Sequence, residues 1–250
     1  MKIHRSSTLG ALLALVLAWF LSAFSGCTED STIFFDPSSR LQEIDFQDGV
    51  SPDTLYSGTR DAFLKEGNPL VNNNFGTTPF DTVGHLFLTD RYFERRQIIR
   101  FDLTDISDCG DVLSAELRLH FSSMSSDTLI LRAYEVSVPE IVGASWLEGT
   151  GGLAGGVSWQ TVEGAIPWEA EAGDPIGLPI ETVVTSQDTA AAFTLPNSLV
   201  LGWIEEPDDN HGIIISVLYR AAEEYLILHT RESLDADERP RLSIAYLKGG

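Results

Sequence analysis

Arginine, histidine and tyrosine side chains fall on the polar phase of three short alternating segments of this chain, where they can meet a ligand. Ile99, Phe101 and Leu103 alternate with Ile98, Arg100 and Asp102, and Leu113, Ala115, Leu117, Leu119 and Phe121 alternate with Ser114, Glu116, Arg118 and His120. A period of two marks a strand with one buried and one wet face, so Arg100, Arg118 and His120 are expected in water. Arg132 and Tyr134 share one phase of the next segment, 129–138. If these strands are neighbours, the arginines form a basic island. Guanidinium forks grip carboxylates bidentately, which would suit a polymer bearing uronic acids. The alternative is that the arginines are solvated partners of Asp102, Glu116 and Glu135. Trp168, between Pro167 and Glu169 in an extended loop, is expected to expose its ring as a flat platform. Trp203, in the apolar run Leu199–Ile204, is expected in the core.

Two turns gather the oxygen ligands that calcium prefers: Asp208, Asp209 and Asn210 in one, Asp235, Asp237 and Glu238 in the other. Neither has EF-hand spacing, and acidic turns are common in an acidic chain, so a structural calcium stands beside a plain solvated turn. Catalytic signatures are missing. His85, His120, His211 and His229 form no HExxH or similar ligand spacing. No GxSxG occurs, and GTGGLAGG at 149–156 lacks the Gly-Lys-Ser/Thr ending of a phosphate loop. A non-enzymatic protein is expected.

The N-terminus carries another chemistry. Lys2 and Arg5 precede an apolar run from Leu9 to Phe24, and LSAFSGC at 21–27 ends it. About 15 apolar residues are short for a transmembrane helix and fit an export signal. Residues 1–26 are expected to be removed, leaving Cys27 as the acylated residue of a bacterial lipoprotein, held to the membrane by more than one chain. Residues 27–52, polar and acidic, are expected to form a flexible tether. Thr28 in place of Asp after the cysteine suggests the outer membrane, and Glu29-Asp30 suggests a surface-facing protein. Lys2 and Arg5 are the only Lys, Arg, Asp or Glu residues up to Gly26, so the remainder carries 14 basic against 37 acidic side chains, a net charge of −23. Such a surface repels phosphate backbones and argues against nucleic acid as a partner. With Cys27 acylated, Cys109 has no disulfide partner, and no basic group lies near it in sequence to activate its thiol.

Short strand-like runs at 199–204, 212–218, 225–230 and 241–247 are rich in Val, Ile, Leu and Tyr, and Gly, Asn, Asp and Pro punctuate between them. No segment of a dozen residues carries a 3.6-residue stripe. Eight or more short strands without helical crossovers predict an all-β antiparallel β-sandwich. The middle, from Trp146 to about Ala192, predicts long irregular loops.

In chain order, NNNFG at 72–76, RRQIIRFDLTDI at 95–106, VLSAELRLHF at 112–121, SWLEGTG at 145–151 with VSWQTVEG at 157–164, LVLGWIEEPDDNHGIIIS at 199–216 and RPRLSIAY at 239–246 resemble the motifs of the DNRLRE-domain family. Ser158 stands where that family usually has Thr. The resemblance spans residues 53–250 and implies a secreted β-sandwich of jelly-roll type. Some family members are carbohydrate-binding modules, so it also implies a polysaccharide partner and a packing role for Trp146 and Trp159. Combined with the N-terminus, the expectation is a lipid-anchored envelope protein that binds polysaccharide without catalysis. A structural or adhesive module docking other envelope proteins is the alternative, and a polysaccharide lyase or hydrolase a further one.

Overall fold

A computed structural model describes residues 40–139, 146–153, 155–169, 172–173 and 175–249. The expected leader (1–26), Cys27 and the first part of the expected tether lie outside these residues. Among the described residues no helix is long and apolar enough to cross a membrane.

Thirteen antiparallel strands among the described residues carry the architecture. They are β1 (Leu41–Phe46), β2 (Thr59–Lys65), β3 (Phe80–Leu88), β4 (Arg91–Phe101), β5 (Cys109–Met124), β6 (Thr128–Val136), β7 (Thr161–Glu163), β8 (Ile166–Pro167), β9 (Pro175–Thr185), β10 (Ala190–Thr194), β11 (Ile213–Val217), β12 (Glu224–His229) and β13 (Arg241–Lys248). One helix, α1 (Asn197–Glu205), follows β10. The main sheet runs β1-β13-β5-β12-β3-β4-β11-β6-β9, with β10 added to β5 and β2 to β4. Among the described residues β7 and β8 pair only with each other.

The sheet folds back on itself through β5. Over most of its length β5 pairs with β13 and β10, but Phe121, Ser123 and Met124 pair with β12. One layer is therefore β1, β13, β5 and β10, and the other is β12, β3, β4, β2, β11, β6 and β9. Ala115, Leu117, Leu119 and Phe193 of the first layer meet Ile99, Phe101, Leu131 and Ile215 of the second in one core. This is the all-β sandwich expected from the alternation.

Several local expectations are overturned. Leu41–Phe46, assigned to the tether, is a strand paired along its length with β13, and Phe46 is fully buried, so this segment belongs to the sandwich. Leu113 is 47% exposed, because a bulge opposite Ala245 and Tyr246 inserts it as an extra residue between Ser114 and Val112. A bulge reverses the alternation, and Val112 takes the inward place. The run Leu199–Ile204 is helical. Pro196 at its start suits a helix N-terminus, and Val200 and Trp203, three apart, reach the core together. The stretch before Ala192 holds strands β9 and β10 rather than only loops.

Ile98 shows the largest departure. It shares a phase with Arg100, yet it is fully buried. Ala62 and Leu64 on β2, Ile98 on β4, Val136 on β6 and Ile214 on β11 point to the outer face of the second layer. There they form a second core with Trp146, Val157, Trp159, Val162, Trp168 and Ala172. The middle segment is thus a cover on that face. Strands buried on both sides read as unbroken apolar runs, as in Ile213-Ile214-Ile215.

Asn74 pins this cover. The residue is buried, and its Nδ2 donates to the Glu148 carbonyl and to the Val157 carbonyl (2.9 Å). Its Oδ1 accepts from Gly76 (3.2 Å) and Gly151 (2.9 Å), and its backbone exchanges hydrogen bonds with Gly152. The fit requires glycine: a Cβ on Gly149, whose φ is +77°, would lie 2.6 Å from Asn74 Oδ1. Trp168 closes the other end of the cover, donating its Nε1 to the Ser158 carbonyl (2.9 Å). At 4% exposure it offers no open ring, contrary to expectation. Trp168→Ala should lower unfolding free energy by about 3–5 kcal/mol in urea denaturation, the range for emptying a buried aromatic site.

Candidate functional site

The cover stops short of the far half of the second layer, and an open groove of about 260 Å³ remains there. Strand register builds its floor. His85 on β3 lies opposite Glu94 on β4, Ser216 on β11 lies opposite Arg132 on β6, and Ile214 opposite Tyr134. All these side chains stand on the outer phase, so the period-two rule brings them to one surface. Tyr219, just beyond β11, forms one wall and is 49% exposed. Its ring packs against His85 (4.7 Å between centroids) and edge-on against Tyr92 (5.5 Å), and Tyr92 in turn meets Phe87 (5.0 Å).

The charged groups in the groove are paired. Arg96 forks onto Glu94 (2.8 and 2.7 Å), donates to the Ala172 carbonyl (3.0 Å), and lies over the Trp159 ring at 5.3 Å from its centroid. Arg132 Nε donates to Glu181 on β9 (2.8 Å), and that carboxylate holds the guanidinium firmly in its charged form. The His85 Nε2–H donates to the Val217 carbonyl (3.0 Å). The result is a rigid, charge-balanced cleft of tyrosine rings, guanidinium edges and carboxylate oxygens. It can stack on a flat apolar face and exchange hydrogen bonds with hydroxyl groups.

Arg132 and Tyr134 therefore come together as expected, but the basic island does not form. Arg118 and His120 lie on the outer face of the first layer, since Leu117 and Leu119 beside them enter the shared core. Outer faces of a sandwich point away from each other. Arg118 has Ala192 and Arg241 as its cross-strand neighbours. The His120 imidazole is held below its ordinary pKa, first by burial and then by Arg118. Arg100 shares a face with Arg132 but stands four residues along β4 from Arg96, about 13 Å, beyond the covered Ile98. There it lies opposite Arg60 on β2, and burial followed by that like charge lowers its pKa. Trp168 is in the second core. Sequence reasoning missed Arg96, Tyr219, His85 and Glu94. Their alternation was readable, but which strands adjoin was not.

Among the described residues neither acidic turn belongs to a converging group of three carboxylates. Asp208 and Asp209 are exposed, and the Asn210 Nδ2 donates inward to the Phe101 carbonyl (2.8 Å). Asp235 caps its own turn by accepting from the Asp237 N–H (3.0 Å). Glu238 accepts from Ser233 (3.1 Å) and lies 3.1 Å from His229 Nδ1.

Carboxylates converge elsewhere. One carboxylate oxygen each of Asp61 on β2, Glu148 in the cover and Glu232 after β12 lies within 4.8 Å of the others. Among the described residues no other group of three His, Cys, Asp or Glu side chains comes so close. Asp61 is fully buried. Its Oδ2 accepts from the Arg231 backbone N–H (2.9 Å), and its own N–H donates to Glu148 Oε1 (3.0 Å). The Arg231 guanidinium grips Glu148 (2.7 Å from both Nε and NH2) and Glu232 (2.9 Å), and reaches Asp48 at 3.8 Å. Burial is the largest cause raising the pKa of each of Asp48, Asp61, Glu148 and Glu232, and for Asp61 the neighbouring Glu232 adds to it.

No protein-family model matches the chain, and no curated protein is significantly similar to it.

Raised folded-state pKa values mean that the folded protein holds these protons more tightly than the unfolded chain. Their stabilising contribution is complete below about pH 4, the ordinary carboxylate range, and is lost as pH rises through the folded values. In the presence of a chelator, Asp61→Asn should therefore flatten the fall in stability with pH. The difference in slope between wild type and variant should approach about 1.4 kcal/mol per pH unit per proton, read from urea denaturation at several pH values.

Proposed function

We propose that this chain is a lipid-anchored, non-catalytic polysaccharide-binding module of a bacterial envelope, with the groove between β3, β4, β11 and β6 as its glycan site. The observation that carries this is the meeting of Tyr134, Tyr219 and Arg132 in one open cleft on a rigid sheet. Tyrosine supplies a large contact area at little entropic cost, and a guanidinium with donors beyond its Glu181 partner can bind sugar hydroxyls. Arg96 with Glu94 and Arg132 with Glu181 cancel in charge, which favours a neutral glycan over a polyuronate. The order of motifs resembling the DNRLRE family supports the same reading, as does the fold. The lipoprotein-type N-terminus, with Cys27 as the acylated residue, supports an envelope location, most simply the outer membrane facing outward.

A second reading has its own observation. β9 ends the sheet, carries Leu178 at 91% and Val183 at 60% exposure, and pairs on one side only among the described residues. An apolar edge strand invites another chain, which fits a module that docks envelope proteins.

Affinity electrophoresis in neutral and uronate polysaccharides separates the two. A neutral glycan should retard the protein, and Tyr219→Ala should weaken binding by about 2 kcal/mol, roughly 30-fold. Arg132→Ala should weaken it by about tenfold, and Arg118→Ala should have no effect. Unchanged retardation in both groove variants would sink the site; no retardation by any polymer, with partner proteins captured through β9, would favour docking. For the anchor, Cys27→Ser should abolish incorporation of a palmitate analogue and move the protein from the membrane to the soluble fraction.

A further inference from the structure

We propose that Asp61, Glu148 and Glu232 form a calcium site that ties β2, the tryptophan-bearing cover and the turn after β12 to one ion. The site is independent of the glycan groove and of both acidic turns.

The first support is a shortage of partners. Asp61 is fully buried, and among the described residues its Oδ1 has no hydrogen-bond partner; Glu232 Oε2 and Asp48 Oδ1 are likewise buried without one. A buried carboxylate oxygen in a native protein is expected to be satisfied; Asp48 Oδ1 has the Arg231 guanidinium at 3.8 Å, but the two orphans of the converging trio, on Asp61 and Glu232, indicate a missing ligand. The second is charge. Three carboxylates, those of Glu148, Glu232 and Asp48, pair with one guanidinium, Arg231, whose backbone N–H donates to Asp61 and whose charge is the smallest of the influences on that carboxyl. Arg239 reaches the neighbourhood through the Asp48 and Ser233 carbonyls (2.9 and 3.0 Å), and Arg60 acts on Glu148 from farther away. Anionic charge is left over, and a divalent cation would balance it.

Donor chemistry selects the metal. Every available ligand is a hard oxygen, with no sulfur and no imidazole in the group. Such a set suits calcium, which accepts irregular carboxylate cages completed by water, better than zinc or copper. Magnesium would demand a more regular octahedron. Placement adds a structural reason. Asn74 fixes the backbone of Glu148 through its carbonyl, and a Cβ on Gly76 would lie 2.2 Å from that same oxygen. The Glu148 carboxylate is thereby presented over Asp61 rather than left to choose its position. The ligands come from residues 61, 148 and 232, so no motif of local spacing marks the site.

The rival is a single proton shared between Asp61 and Glu232, which would also satisfy two of the orphaned oxygens. Calorimetric titration of the EDTA-stripped protein with calcium chloride, with thermal melting alongside, distinguishes them. One saturable site is expected, with a dissociation constant on the order of 10⁻⁴ to 10⁻³ M as in extracellular modules, and Tm should rise with calcium. Terbium should bind with sensitised luminescence that calcium displaces. Glu232→Gln, an isosteric change at a partly buried position that should still fold, and Asp61→Asn should each weaken binding by about 10–100-fold or more, as losing a ligand must exceed losing an outer-shell partner. Asp208→Asn and Asp235→Asn should leave it unchanged. A Tm indifferent to millimolar calcium, with no saturable heat, overturns the proposal in favour of the shared proton. Weak binding that survives Glu232→Gln overturns it in favour of diffuse attraction to an acidic surface.

Discussion

Ala62, Leu64, Ile98 and Ile214 present a greasy outer face on the second layer, and water cannot be left against it. Burying a large apolar side chain contributes about 1.5–3 kcal/mol, so a cover over this face adds to the stability of a sandwich whose main core lies on the other side of the same strands. Trp146, Trp159 and Trp168 supply that cover, and the loop carrying them needs its polar backbone satisfied as it crosses the sheet. Asn74 performs this task with both ends of its amide, and the Trp146 and Trp168 indole N–H groups find carbonyls at His211 and Ser158.

The groove is what the cover leaves open. Arg96 belongs to both regions: its guanidinium lies over the Trp159 ring and donates to the Ala172 carbonyl at the edge of the second core, while Glu94 holds it at the groove floor. Rigidity at the cleft therefore comes from the packed segment beside it. The proposed recognition surface is built on sheet positions and held by ion pairs, an arrangement that would lose little conformational freedom on binding.

At the carboxylate cluster the same cover acts electrostatically. It brings Glu148 down onto Asp61 and removes water from both, which raises the energy of their charged forms. Arg231 offsets part of this, as a fork pairing with two carboxylates can. What remains is an anionic point, enclosed by segments far apart in the chain, in a protein whose net charge is already −21.

Much of the first core was legible along the chain. Alternation in β5 and β4 marked Ala115, Leu117, Leu119, Ile99 and Phe101 as inward, because sheet geometry turns successive side chains to opposite faces whatever their neighbours. It failed at Leu113, where a bulge shifts the phase, and at Ile98, where the outer face is buried as well. The short apolar run around Trp203 could not announce a helix in two and a half turns. Arg132 and Tyr134 were found, but Tyr219, Arg96 and the trio of Asp61, Glu148 and Glu232 were not. A strand's own residues tell which way each side chain points; which strands and loops lie beside it depends on contacts between residues far apart in the chain. Acidic excess and the all-β sandwich were thus determined by sequence alone. The loss of the arginine island, the sealing of Trp168 and the meeting of three distant carboxylates were decided only by tertiary structure, because each depends on adjacency in space between segments that share no local pattern.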